Sequence, residues 1–236
     1  MTHTPVRAPE SVEQVIERMR AIDAELHPRD GIACFNRTYL RVTELVGRDI
    51  ADGFFADPDF VARLAVVLAG PYFTAVDAAR ARTRPPVPWK PLFDARHDRT
   101  IWPVQYALAG ANAHIAHDLP LAVTTTCRER GTTPATPPVH ADYLRVNELL
   151  AEAGAEVRAE FEPRLRKLAT ADAERLRHVV SGFDISRARD VAWGTTLTLW
   201  QQRDLKPLHN TTLATVAHEA AIAGSLLLTP VAPPPA

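Results

Sequence analysis

The chain has 236 residues, with 27 Lys and Arg against 28 Asp and Glu, a formal net charge of −1, and 46% hydrophobic residues. That length can bury a sizeable core as one large domain or two small ones, and 23% charged residues describe a soluble globular chain rather than a disordered one. The even charge balance removes the electrostatic argument for nucleic acid or an anionic membrane surface as the main partner.

Apolar residues recur at helical spacing from one segment to the next, and glycine is scarce. Ser11 is placed to cap a helix running to about Leu26, and His27-Pro28-Arg29-Asp30 breaks it. A second helix, from Asp30 to Val46, puts Ile32, Phe35, Tyr39, Val42 and Val46 on one stripe. A third starts after Asp57-Pro58 and continues to Ala79, with a bend expected at Gly70-Pro71. Arg84 to Pro91 holds four prolines and reads as a loop. A central helix is expected from Thr100 to Leu119, where Pro120 should kink or end it. After a second loop, Thr132 to Pro138, further helices are expected over Asp142–Leu168 (kinked at Pro163), Ala171–Val180, Ile185–Gln202 and Leu208–Leu228. The reading is a single all-α domain of seven or eight helices over 11–228, with an N-terminal tail over 1–10 and a Pro/Ala tail over 229–236.

Two cysteines, Cys34 and Cys127, are too few for a disulfide framework or a thiolate zinc site. Met1 to Glu10 has no apolar core of signal-peptide type, and no stretch reaches the roughly 20 apolar residues of a membrane span. A cytoplasmic location is the expectation.

The central helix carries the best candidate site. Ile101 to His117 has no formal charge outside histidine, so most of its surface should be buried. With His114 at 0° and about 100° per residue, His117 falls at about 300° and Asp118 at about 40°, on the face of the small residues Ala107, Gly110 and Ala111. A Leu at Ala111 would overpack that face at a cost of about 1–3 kcal/mol. Two imidazoles and a carboxylate at i, i+3 and i+4 can converge on a divalent, zinc-like metal. They can equally form an acid–base pair, or a buried trio that only satisfies itself.

His140 is the outside histidine expected to join that cluster, if the loop before it folds back along the central helix. Its neighbour Asp142 sits where the next helix needs an N-cap. Asn36, Tyr39, Asn112, Arg189 and Trp193 are the candidate substrate contacts. Asn36 lies beside an apolar stripe and needs a partner. Arg189 shares a helix face with Trp193 and Trp200, where it could hold an anion or pair with Glu219.

The strings from Gly31 to Leu40, from Gly110 to Ala122 and from His140 to Asn147 resemble an uncharacterised bacterial and fungal domain-of-unknown-function family over about residues 10 to 228. That resemblance implies an all-helical domain and carries no substrate. A weaker likeness is to the zinc-dependent phospholipase C and P1-type nuclease bundles, which also use His and Asp from helices. Their N-terminal tryptophan ligand is missing here, where the first tryptophan is Trp89. That likeness gives a reason to test for metal.

Three functions remain open at this point. One is a small-molecule enzyme, such as a hydrolase, using His114, His117 and Asp118 as a metal site or an acid–base pair. Another is a metal-free cyclase or isomerase with an apolar pocket shaped by Phe35, Tyr39, Trp193 and Trp200. The third is a non-catalytic ligand-binding or interaction module. No glycine-rich nucleotide loop and no Gly-x-Ser-x-Gly elbow occurs, and the sequence leaves the oligomeric state open.

Overall fold

The computed structural model describes residues 8–150 and 170–231, and among them every regular element is helical. In chain order these are α1 (Val12–Glu25), α2 (Gly31–Ala51) and α3 (Pro58–Arg80), then a 3-10 turn (Val87–Trp89) that leads into α4 (Lys90–Ala95). Next come α5 (Pro103–Ala113), a wide π-type turn (His114–Asp118), α6 (Leu119–Glu129) and α7, which takes up 139–150 of the described residues. The bundle closes with α8 (Thr170–Gly182), α9 (Ile185–Gln201) and α10 (Lys206–Leu227). The expected kink at Pro163 and helix end at Leu168 lie outside the described residues.

The starts follow the capping chemistry. Ser11 Oγ accepts from Gln14 N at 3.3 Å, Asp30 Oδ1 from Ile32 N at 2.8 Å, and Asp57 Oδ1 from Phe60 N at 2.9 Å. Proline in the first turn opens α3, α5 and α10, because a missing N–H costs nothing there. That rule moves the start of the central helix from Thr100 to Pro103, with the Trp102 amide held by Gln105 Oε1 at 3.1 Å. It also turns much of the proline segment into helix. Trp89, Leu92 and Phe93 are all buried, and their i, i+3, i+4 spacing is an apolar stripe that the prolines obscure. α2 outruns its expected end at Val46 by continuing to Ala51, with Ile50 packed beside Val46, Phe55 and Val61. α3 passes through Pro71 as one helix.

α5 runs through the middle of the bundle. α2 crosses it closely: a Cβ on Gly110 would lie 2.3 Å from the Phe35 ring, and one on Gly31 would lie 2.5 Å from the Tyr106 ring. α10 is tied along α5 by two buried amides. Asn112 Nδ2 donates to Ala220 O at 2.7 Å, and Gln105 Nε2 donates to Leu227 O and Thr229 O, both at 2.8 Å. α3 is long and apolar enough, by length and composition, to cross a bilayer, contrary to the expectation that no stretch reaches that length. Half of its most apolar window is buried in the fold, with Tyr72 and Phe73 in one core cluster and Phe60 and Leu64 in another.

Candidate functional site

Pro120 shapes the site without belonging to it. It has no N–H to give, and its ring crowds the carbonyl four residues back, so an α-helical path into it is disfavoured. The chain widens instead: the Leu119 amide donates to the carbonyl of His114, five residues back. Such wide turns recur at functional sites because they re-aim side chains within a continuous helix. Here the turn spans His114 to Asp118.

Asp118 is fully buried, at 0% exposure. Trp89 Nε1 donates to its Oδ2 at 3.0 Å, and His117 Nδ1 lies 2.7 Å from its Oδ1. An ionised carboxylate only accepts, and the contact is then a donation from His117 Nδ1. His114 differs. It is 8% exposed, and among the described residues both its ring nitrogens are buried with no hydrogen-bond partner. Its Nδ1 is 3.7 Å from Asp118 Oδ2, beyond a hydrogen bond but within ion-pair range for a protonated ring. The ring packs 4.2 Å from that of Tyr39, centre to centre, with Phe35 at 6.0 Å and Trp89 at 6.3 Å. Burial, then the charge of Asp118, pushes the Tyr39 phenol well above its ordinary pKa, so it stays protonated.

His114 stands on the wall of an apolar cavity of about 140 Å³. Phe35 and Tyr39 line it from one core cluster, Leu64, Ile115 and Tyr143 from a second, and Val46 from a third. The cavity lies where three packed clusters meet and do not fully close.

The expected site residues divide. His114, Tyr39 and Arg189 line the cavity, while Asp118 and His117 stand behind His114. The fold does not bring in His140: it is exposed and stacks on Trp193 with ring centres 4.3 Å apart, neither of them on the cavity wall. Asn36 is a structural amide. Its Nδ2 donates to Met19 O at 2.9 Å and its Oδ1 accepts from Tyr72 Oη at 3.0 Å, which joins α1, α2 and α3. Asn112 ties α10 to α5, as described above. Trp193 and Trp200 pack at the edge of the second core cluster rather than shaping the pocket.

Asp142 lies inside α7, not at its cap. Its carboxylate takes the amides of Ala56 and Asp57 at 2.9 and 2.7 Å, just ahead of α3. Arg189 pairs with Asn147 and Tyr143 instead of Glu219. A zinc-like metal does not fit the trio as it stands. His117 Nδ1 is turned to Asp118, and among the described residues no three His, Cys, Asp or Glu side chains are grouped to hold a metal ion. Trp89 was missed as a site residue because its segment reads as a loop, although its apolar spacing with Leu92 and Phe93 was visible.

Against known proteins, a family model described as a family of unknown function (DUF5995) matches residues 12–230. No curated protein and no solved structure matches the chain.

Proposed function

The chain belongs to this family of unknown function, and for it we propose acid–base catalysis on a small, largely apolar molecule held in the cavity against His114. The observation that carries the reading is the His114 ring, whose two nitrogens are buried on a cavity wall with no hydrogen-bond partner among the described residues. An unanswered buried polar group costs about 1–3 kcal/mol. A Leu or Phe would fill the same volume without that cost, so the imidazole is kept for something other than packing.

Asp118 supports the role. Held by Trp89 and His117, its carboxylate lies 3.7 Å from His114 Nδ1, where it would stabilise the imidazolium formed when the ring takes a proton. Catalytic hydrogen bonds are often long in the unliganded state and tighten on binding. A proton taken from one ligand atom and returned to another needs no co-reactant. That favours isomerisation or cyclisation over hydrolysis in a cavity walled mostly by apolar side chains.

His114→Leu is the test. A histidine kept for structure would lose stability when replaced. Here the melting temperature is expected to hold or rise, because the substitution removes unsatisfied nitrogens. In the parent protein, toluene soaked into the cavity should shift the ¹⁵N resonances of the His114 ring. A His114→Leu protein destabilised by more than about 2 kcal/mol, or a ring blind to toluene, overturns the proposal.

A further inference from the structure

We infer that the molecule taken by this cavity carries one carboxylate, and that Arg189 holds it. The inference rests on the cavity reading above and names the substrate class of the same site.

Arg189 lies on the cavity wall at 4% exposure. Its hydrogen bonds go to neutral acceptors: Nε donates to Asn147 Oδ1 and Nη2 to Tyr143 O, both at 2.6 Å. The guanidinium carbon sits 4.2 Å over the Tyr143 ring, and Tyr143 Oη donates back to Arg189 O at 2.6 Å. The fork is therefore held in place from α7 before any ligand arrives, with Nη1 outside these bonds.

What is missing is a counter-charge. Among the described residues no carboxylate lies within ion-pair distance of Arg189. Asp142 shares the cavity wall, but its oxygens are taken by the amides of Ala56 and Asp57, with Arg145 Nη1 at 3.5 Å. Asp190, next in the chain, is exposed and acts on Arg189 only through its longer-range field. Removing a guanidinium from water without a partner ion is strongly disfavoured. Burial accordingly pushes the Arg189 pKa down, although an arginine remains charged. Tying α7 to α9 requires only a donor, and a neutral glutamine would provide one without the penalty. The charge is what the described residues leave unmatched, and a planar carboxylate is the group that a guanidinium fork matches best.

Size narrows the class further. At about 140 Å³ the cavity is close to the engineered void of about 150 Å³ that takes up benzene. It suits a single ring or a short branched chain bearing a carboxylate, with His114 on the wall of the same cavity.

Calorimetric titration at pH 7 with benzoate, its neutral isostere benzamide, and toluene tests this. Benzoate should bind at least about tenfold more tightly than benzamide. In Arg189→Met the two should bind alike, and in Arg189→Lys, which keeps the charge and loses the fork, an intermediate preference should remain. Melting curves on both variants show whether the loss of the α7–α9 bonds has unfolded the protein, and the parent's own preference depends on neither variant. If toluene and benzamide bind as tightly as benzoate to the parent, the cavity reading stands and the carboxylate assignment is overturned. A preference that survives Arg189→Met and vanishes in His114→Gln overturns it too, by moving the anion to His114. If none of the three probes binds, the cavity reading itself fails.

Discussion

Asp118 and His114 sit four residues apart on one turn, and the fold treats them in opposite ways. Asp118 is acidic, buried and hydrogen-bonded by Trp89 and His117; His114 is polar, buried and without a hydrogen-bond partner among the described residues. A hydrogen bond to a charged group contributes about 1.5–3 kcal/mol. Trp89→Phe keeps most of the ring volume and deletes the indole donor, so it should lower unfolding free energy in urea by about that amount. A loss below about 0.5 kcal/mol would mean that Asp118 does not depend on the indole. His114 and Asp118 were legible as candidates because polar residues in an uncharged helical run stand out. Their separate roles were not, since the donor that engages Asp118 comes from a segment 29 residues earlier. Asn36 shows the same limit in reverse: its need for a partner is readable, but that the partners are Met19 O and Tyr72 Oη is not.

At the scale of elements, the close crossing of α2 and α5 depends on Gly110. Gly→Ala inside a helix ordinarily gains up to about 1 kcal/mol. At Gly110 the added Cβ would sit 2.3 Å from the Phe35 ring and 2.8 Å from Phe35 Cβ, the rigid base of that side chain, so the clash outweighs the gain. Gly110→Ala should destabilise by about 1–3 kcal/mol, while Gly194→Ala in α9, where nothing lies within 4 Å, should stabilise slightly. Urea midpoints of the two variants moving in the same direction would contradict this picture of the crossing. The π-type turn belongs to the same scale. Pro120 predicts a disturbance of the helix, and the fold resolves it as a wide turn rather than a break because Leu119 and Ile115 still have a core to pack into.

For the whole molecule, the cavity is the junction of three core clusters, and that changes what Ala111 does. Read as one face of a helix, Ala111 is a tight contact that a leucine should overpack. In the fold it lines the cavity, so Ala111→Leu is expected to fill space instead of forcing neighbours apart. Stability should hold or rise by about 0.5–2 kcal/mol, and toluene and benzoate should no longer bind. Loss of stability with binding retained would place Ala111 in a packed contact after all.

Local rules determined much of this protein from sequence alone. Helical periodicity set the all-α class, side-chain oxygens at Ser11, Asp30 and Asp57 set the helix starts, and the uncharged run from Ile101 to His117 marked the central helix. Each of these acts within a few residues of itself, which is why a linear reading finds it. The tertiary structure alone decided what depends on distant segments meeting. It brings Trp89 to Asp118, leaves His140 on Trp193 and out of the site, and turns Asn36 and Asn112 into ties between helices. It also opens a cavity beside His114 and Arg189. The physical reason is packing: whether a buried polar group is answered, and whether three clusters close on one another, depends on shapes contributed from the whole chain.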